Sequence, residues 1–131
     1  MQATGTFIVK ITPASEDKGT GSTLGRMLLE KEFSGDLQAQ GRGEMLTVGT
    51  EVKGSAVYVA VERVTGTLHG KSGSFALHHR GIMTRGVPEL QVSIVPDSGS
   101  GELQGISGTL TIKIEAGQHF YGLDYVLPHQ E

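Results

Sequence analysis

The chain has no cysteine and no tryptophan. The first absence excludes disulfides, thiolate nucleophiles and thiolate metal ligands, and it fits a reducing compartment. Aromatic residues make up only 5% of the chain, too few to build a base-stacking platform for single strands. Charge of one sign is also missing, with 11 Lys and Arg set against 14 Asp and Glu, for a net charge of −3. The basic residues are scattered singly, so no basic stripe exists to neutralise phosphates and nucleic acid is not expected as a partner. No run approaches the ~20 apolar residues of a membrane span. The opening Met1-Gln2-Ala3-Thr4-Gly5 lacks the basic n-region and apolar core of a signal peptide. The expectation is a cytoplasmic protein with no membrane partner.

Glycine is abundant instead: 20 residues, about twice its average usage of ~7%. Without low-complexity repetition, that excess points to many tight turns and bulges between short strands. Period-two alternation runs through most of the chain, and Gly and β-branched residues interrupt every window that could be helical. In residues 3–12, Phe7, Val9 and Ile11 share one face. Further strands are expected at about 24–34, 36–48, 55–65, 73–84, 88–96, 108–115 and 119–127, with 66–69 extending the fourth through a bend at Gly66. The polar stretch 13–23 reads as the longest loop, and a mobile one. Hairpin turns are expected at Gly70–Gly73, Arg85–Pro88 and Asp97–Gly101. Short strands at even spacing with Gly-rich turns predict one all-β domain over 1–131, a closed eight-stranded antiparallel β-barrel.

An internal echo supports this. Gly66-Thr67-Leu68-His69-Gly70-Lys71-Ser72-Gly73-Ser74-Phe75 matches Gly101-Glu102-Leu103-Gln104-Gly105-Ile106-Ser107-Gly108-Thr109-Leu110 as G-x-L-x-G-x-S-G-[ST]-Φ. Gly35-Asp36-Leu37 with Gly41 and Gly43 is a looser third copy. No helix follows to supply a dipole for a phosphate, so these glycines read as connections, with Leu plugging the barrel end.

Four stretches together resemble one bacterial family of uncharacterised proteins, the DUF3224 family. They are Phe33-Ser34-Gly35-Asp36-Leu37, Glu62–Leu68 continuing to Gly73-Ser74-Phe75, Val95–Gly99 continuing to Gly101-Glu102-Leu103, and Leu123-Asp124-Tyr125, with Ala3–Phe7 in support. The resemblance spans nearly the whole chain and implies an allene oxide cyclase-like fold, an eight-stranded antiparallel barrel with a partly apolar interior. Fold alone does not transfer an activity.

Inward positions alternate along a barrel strand, so a polar residue in phase with apolar ones is a lumen candidate. Tyr58, Ala60, Glu62 and Val64 share one face; Phe75, Leu77 and His79 share another; His119, Tyr121, Leu123 and Tyr125 share a third. If these faces line one cavity, Glu62 and His79 form a carboxylate–imidazole pair able to move a proton, with Tyr58, Tyr121 and Tyr125 as ligand-binding phenols. Ion pairing of Glu62 with Arg63 or Arg80, and plain packing for the tyrosines, are the structural alternatives. A metal site is not expected: adjacent His78 and His79 point to opposite faces of a strand, and no His-x-His pair exists. No Gly-x-Ser-x-Gly elbow precedes a helix, so a serine nucleophile is unsupported as well. No cofactor is called for. The leading reading is a barrel that holds a small, largely apolar molecule in its lumen. The rivals are a cofactor-independent isomerase or cyclase using the same Glu, His and Tyr, and a structural barrel with a filled core. The outer apolar face at Val57, Val59 and Val61 predicts a homo-oligomer.

Overall fold

The computed structural model describes residues 1–128. It contains nine strands: β1 (Gln2–Lys18), β2 (Ser22–Gly35), β3 (Leu37–Thr50), β4 (Ala56–Leu68), β5 (Lys71–Thr84), β6 (Val87–Ile94), β7 (Ser100–Gly101), β8 (Ser107–Glu115) and β9 (Gln118–Val126). All pairings are antiparallel, in the order β4-β3-β2-β1-β9-β8-β6-β5, and β4 pairs with β5 to close an eight-stranded barrel. The two-residue β7 is an appendage on β5. Among the described residues no helix is long and apolar enough to cross a membrane.

Two differences from the sequence reading have physical causes. Residues 13–18 continue β1 rather than forming a long loop, and the turn is confined to 19–21. A bulge between Pro13 and Ser15 shifts the register there, which lets a proline sit in a paired strand. These residues are exposed, so their polar composition never conflicted with strand structure. The segment after β6 is not a hairpin either. It crosses the end of the barrel, touching β5 through β7 and burying Leu103 and Ile106 before β8 begins.

That crossing closes one end. Leu37, Leu68 and Leu103, the leucines of the three glycine-rich echoes, are all essentially fully buried there, beside Phe75, Leu123 and Tyr125. The core therefore fills the lumen from this closed end to about its middle. At the opposite end the wall thins. β1 pairs with β9 only over Gln2–Phe7, and β6 meets β8 through just Val92↔Leu110 and Ser93↔Thr109. The β3–β4, β5–β6 and β8–β9 connections ring this open mouth.

Candidate functional site

The boundary between filled and open lumen is a buried charged layer. On β2 the inward positions are Leu29, Lys31 and Phe33; on β4 they are Ala60, Glu62 and Val64. The strand between them, β3, offers only Gly41 and Gly43 at the facing inward positions, paired as Lys31↔Gly41 and Gly43↔Glu62. With no side chains on that stretch, Lys31 and Glu62 reach each other across the bare strand. A Cβ at Gly41 would sit 3.2 Å from Glu62 Oε2 and 3.5 Å from Lys31 Cβ.

Glu62 Oε1 accepts two hydrogen bonds, from Lys31 Nζ at 3.1 Å and from His79 Nε2 at 3.1 Å. The three side chains are enclosed, with exposures of 7% for Lys31, 0% for Glu62 and 3% for His79. Lys31 Nζ also lies 5.1 Å from the centre of the Phe7 ring and 6.0 Å from that of Phe33. Glu62 Oε2 has no hydrogen-bond partner among the described residues. Burial pushes the Glu62 carboxyl upward, but the His79 hydrogen bond and the Lys31 charge outweigh it and hold the group below its ordinary value. An ionised carboxylate only accepts, so Nε2 of His79 carries the proton and Nδ1 is the nitrogen left for anything else.

This arrangement has a consequence in acid. A carboxyl whose folded-state pKa is depressed contributes stability that is fully present above its ordinary value of 4.5 and is lost as pH falls through the folded-state value. Wild-type protein is therefore expected to lose urea resistance more steeply below about pH 4.5 than Glu62→Gln does. Parallel midpoint-versus-pH curves for the two proteins would contradict the depressed pKa.

Tyr58 joins the layer from the mouth side. It pairs with Gly81 on β5, and its ring occupies the space a side chain there would take: a Cβ at Gly81 would lie 2.1 Å from Tyr58 Cε1. This seats the ring with its centre 6.5 Å from that of His79. Burial and the nearby Glu62 charge both raise the Tyr58 pKa, keeping the phenol protonated. Above it opens a cavity of about 570 Å³, lined by Tyr58, Met27, Met45, Met83, Leu90 and Ile114 together with backbone and neighbouring apolar groups.

Three of the residues singled out from sequence, Glu62, His79 and Tyr58, are thus neighbours. Tyr121 and Tyr125 lie elsewhere, in the filled half. The Tyr121 hydroxyl accepts from the Leu37 amide at 2.9 Å and donates toward the Ser34 carbonyl at 3.0 Å, and its ring meets Phe33 edge-on. The Tyr125 hydroxyl bonds His69 Nδ1 at 2.5 Å, and His69 Nε2 lies 3.6 Å from Asp36 Oδ2. Both phenols brace the closed end. The partner of Glu62 is Lys31 rather than Arg63 or Arg80, which lie on outward-facing positions. Lys31 was legible in principle, because Leu29-x-Lys31-x-Phe33 places a lysine in phase with an apolar face. Among the described residues, no group of three or more His, Asp or Glu side chains is placed to hold a metal ion.

Fold and site together define a small antiparallel β-barrel with one plugged end, one open apolar end and an enclosed Lys–Glu–His layer between them. The chain belongs to the DUF3224 family of proteins of unknown function, whose family model matches residues 3–125. It is similar to the crystal structure of a DUF3224 protein of unknown function from Shewanella oneidensis MR-1, with 50% identity and a TM-score of 0.93. That match covers 99% of this chain and 98% of the other. No curated protein matches.

Proposed function

We propose that the open half of the barrel holds a small, largely apolar molecule, with Tyr58 at its floor. The observation that carries this is the asymmetry of the lumen. One half is packed with side chains, while the other is a cavity of about 570 Å³ walled by apolar side chains, three of them methionine. An eight-stranded barrel has an interior that side chains fill or that holds one small ligand, and this chain divides its length between the two. Methionine suits such a wall because its flexible, polarisable thioether adapts to ligand shape and favours aromatic contacts. Tyr58 supplies a hydroxyl to orient the guest, and His79 backs the Tyr58 ring from beneath. The enclosure of Glu62 behind His79 favours binding over turnover by the carboxylate itself. Its role is to fix the imidazole tautomer and ring plane.

Titration with N-phenyl-1-naphthylamine, whose fluorescence rises in apolar surroundings, tests the proposal. The wild-type protein is expected to bind it saturably. Met45→Glu, which puts a carboxylate in the cavity wall, should weaken binding by about 30-fold, equivalent to ~2 kcal/mol. Ile8→Lys, on the outer face of β1, should leave it unchanged. Absence of saturable binding, or equal affinity for Met45→Glu, would refute a ligand site in the mouth.

A further inference from the structure

The outward face of β2–β5 carries apolar side chains that nothing among the described residues covers. Three cross-strand rows build it. Leu24, Val48, Val57 and Ile82 lie side by side, then Arg26, Leu46, Val59 and Arg80, then Leu28, Glu44, Val61 and His78. At its centre Leu46 is 54% exposed, Val59 44% and Val61 60%, with Leu24 at 50% on the flank. On two adjacent central strands of a barrel wall, alternation alone would have placed polar residues here. The exposed apolar area is on the order of 500 Å², within the range of the largest patches that monomers carry and commonly use.

We infer that this face is the interface of a two-fold dimer of this chain, packed sheet against sheet about an axis running along β4. Two features argue for a second copy rather than an unrelated partner. The first is how charge is spread across the patch. On the β2–β3 flank the charges are already paired, with Arg26 Nε 2.6 Å from Glu44 Oε1. On the β4–β5 flank Arg63 and Arg80 form no ion pair among the described residues. A two-fold axis along β4 lays β3 of each copy over β5 of the other. Glu44 then faces His78 of the second copy and has Arg80 on the diagonal, twice by symmetry. Glu44, whose Oε1 already accepts from Arg26 of its own chain, gains Arg80 as a second cation, so the acidic position of one flank meets a basic position without an ion pair on the other, as an isologous interface requires.

The second feature is size and shape. A stable dimer buries about 800 Å² per partner, with an apolar centre and a polar rim. The apolar rows supply the centre here, and Arg26, Glu44, His78, Arg80, Glu89 and Gln91 supply the rim, since Glu89 and Gln91 are the outward neighbours of Ile82 and Arg80 on β6. Face-to-face sheets align to within about 30°, which keeps β4 over β4 along its apolar run. This inference uses the outside of the barrel; Val48, Val57 and Ile82 also border the cavity, whereas Val59, Glu44 and Arg80, on which its test rests, do not.

Sedimentation velocity on the full chain tests it. The wild-type protein is expected to sediment at twice the chain mass of 13.9 kDa at micromolar concentration. Val59→Lys, at the patch centre, should sediment as a monomer. Ile8→Lys, a change of the same kind at a 72% exposed position on β1, should remain dimeric. Far-ultraviolet circular dichroism of each variant guards against misfolding. Arg80→Glu should weaken dimerisation at least tenfold, and Glu44→Arg combined with Arg80→Glu should restore most of it. A wild-type monomer up to several hundred micromolar would overturn the inference. So would a trimer or open polymer, a dimeric Val59→Lys, or a folded double variant no tighter than Arg80→Glu alone.

Discussion

Replacing Lys31 with methionine is expected to lower the unfolding free energy by about 3–5 kcal/mol, as breaking a buried ion pair from one side does. The volume lost is small, so most of the effect is electrostatic. Glu62 would keep one hydrogen bond, from His79, and lose the cation that offsets its burial. Its second oxygen already lacks a partner among the described residues, so nothing else in the layer compensates. Combining Lys31→Met with Glu62→Gln should recover a large part of the loss, because the amide carries no charge to strand. Equilibrium urea unfolding of the four proteins in this cycle measures both effects. A single-variant loss below about 1 kcal/mol would mean that water reaches the pair and screens it, as at a surface bridge.

Gly43→Ala should be nearly as damaging, at about 3 kcal/mol, the upper end of overpacking costs. An added Cβ would lie 1.9 Å from the Val61 carbonyl oxygen and 2.6 Å from Glu62 Cα, and backbone cannot rotate away as a side-chain tip does. The β3–β4 pairing must therefore part at the point where Glu62 is seated. Gly49→Ala is the control on the same strand, since an added Cβ there meets nothing within 4 Å, and it should change stability by less than about 0.5 kcal/mol. Urea unfolding separates the two, and amide exchange along β4 should report the opening near Glu62 in Gly43→Ala only. Equal effects from the two substitutions would show that Gly43 is not a close-approach position.

Both experiments probe a feature that the sequence displays without explaining. Gly41 and Gly43 invite a reading as turn residues, by analogy with the glycines around Leu68 and Leu103. Their function is visible only once β2 and β4 are known to flank β3, because only then is it clear which side chains the missing ones let through. Lys31 is hard to read from sequence for a related reason. Its in-phase position on β2 marks it as inward-facing, but a lone inward lysine gains meaning only from a carboxylate contributed 31 residues later.

Alternation by itself determined a good deal. It gave the strands nearly in full, the inward faces of β4, β5 and β9, and the outward setting of Val57, Val59 and Val61, while the glycine-rich echo marked Leu68 and Leu103 as plugs of a barrel end. These follow from local chemistry, since successive side chains on a strand point to opposite sides whatever the rest of the chain does. Tertiary structure alone decided depth. Tyr58, Tyr121 and Tyr125 all point inward by alternation, yet one faces an open cavity and two are locked at the plugged end. Depth along the axis depends on the register and tilt of eight strands closing on one another. That is a property of the whole pairing pattern, and no window of sequence contains it.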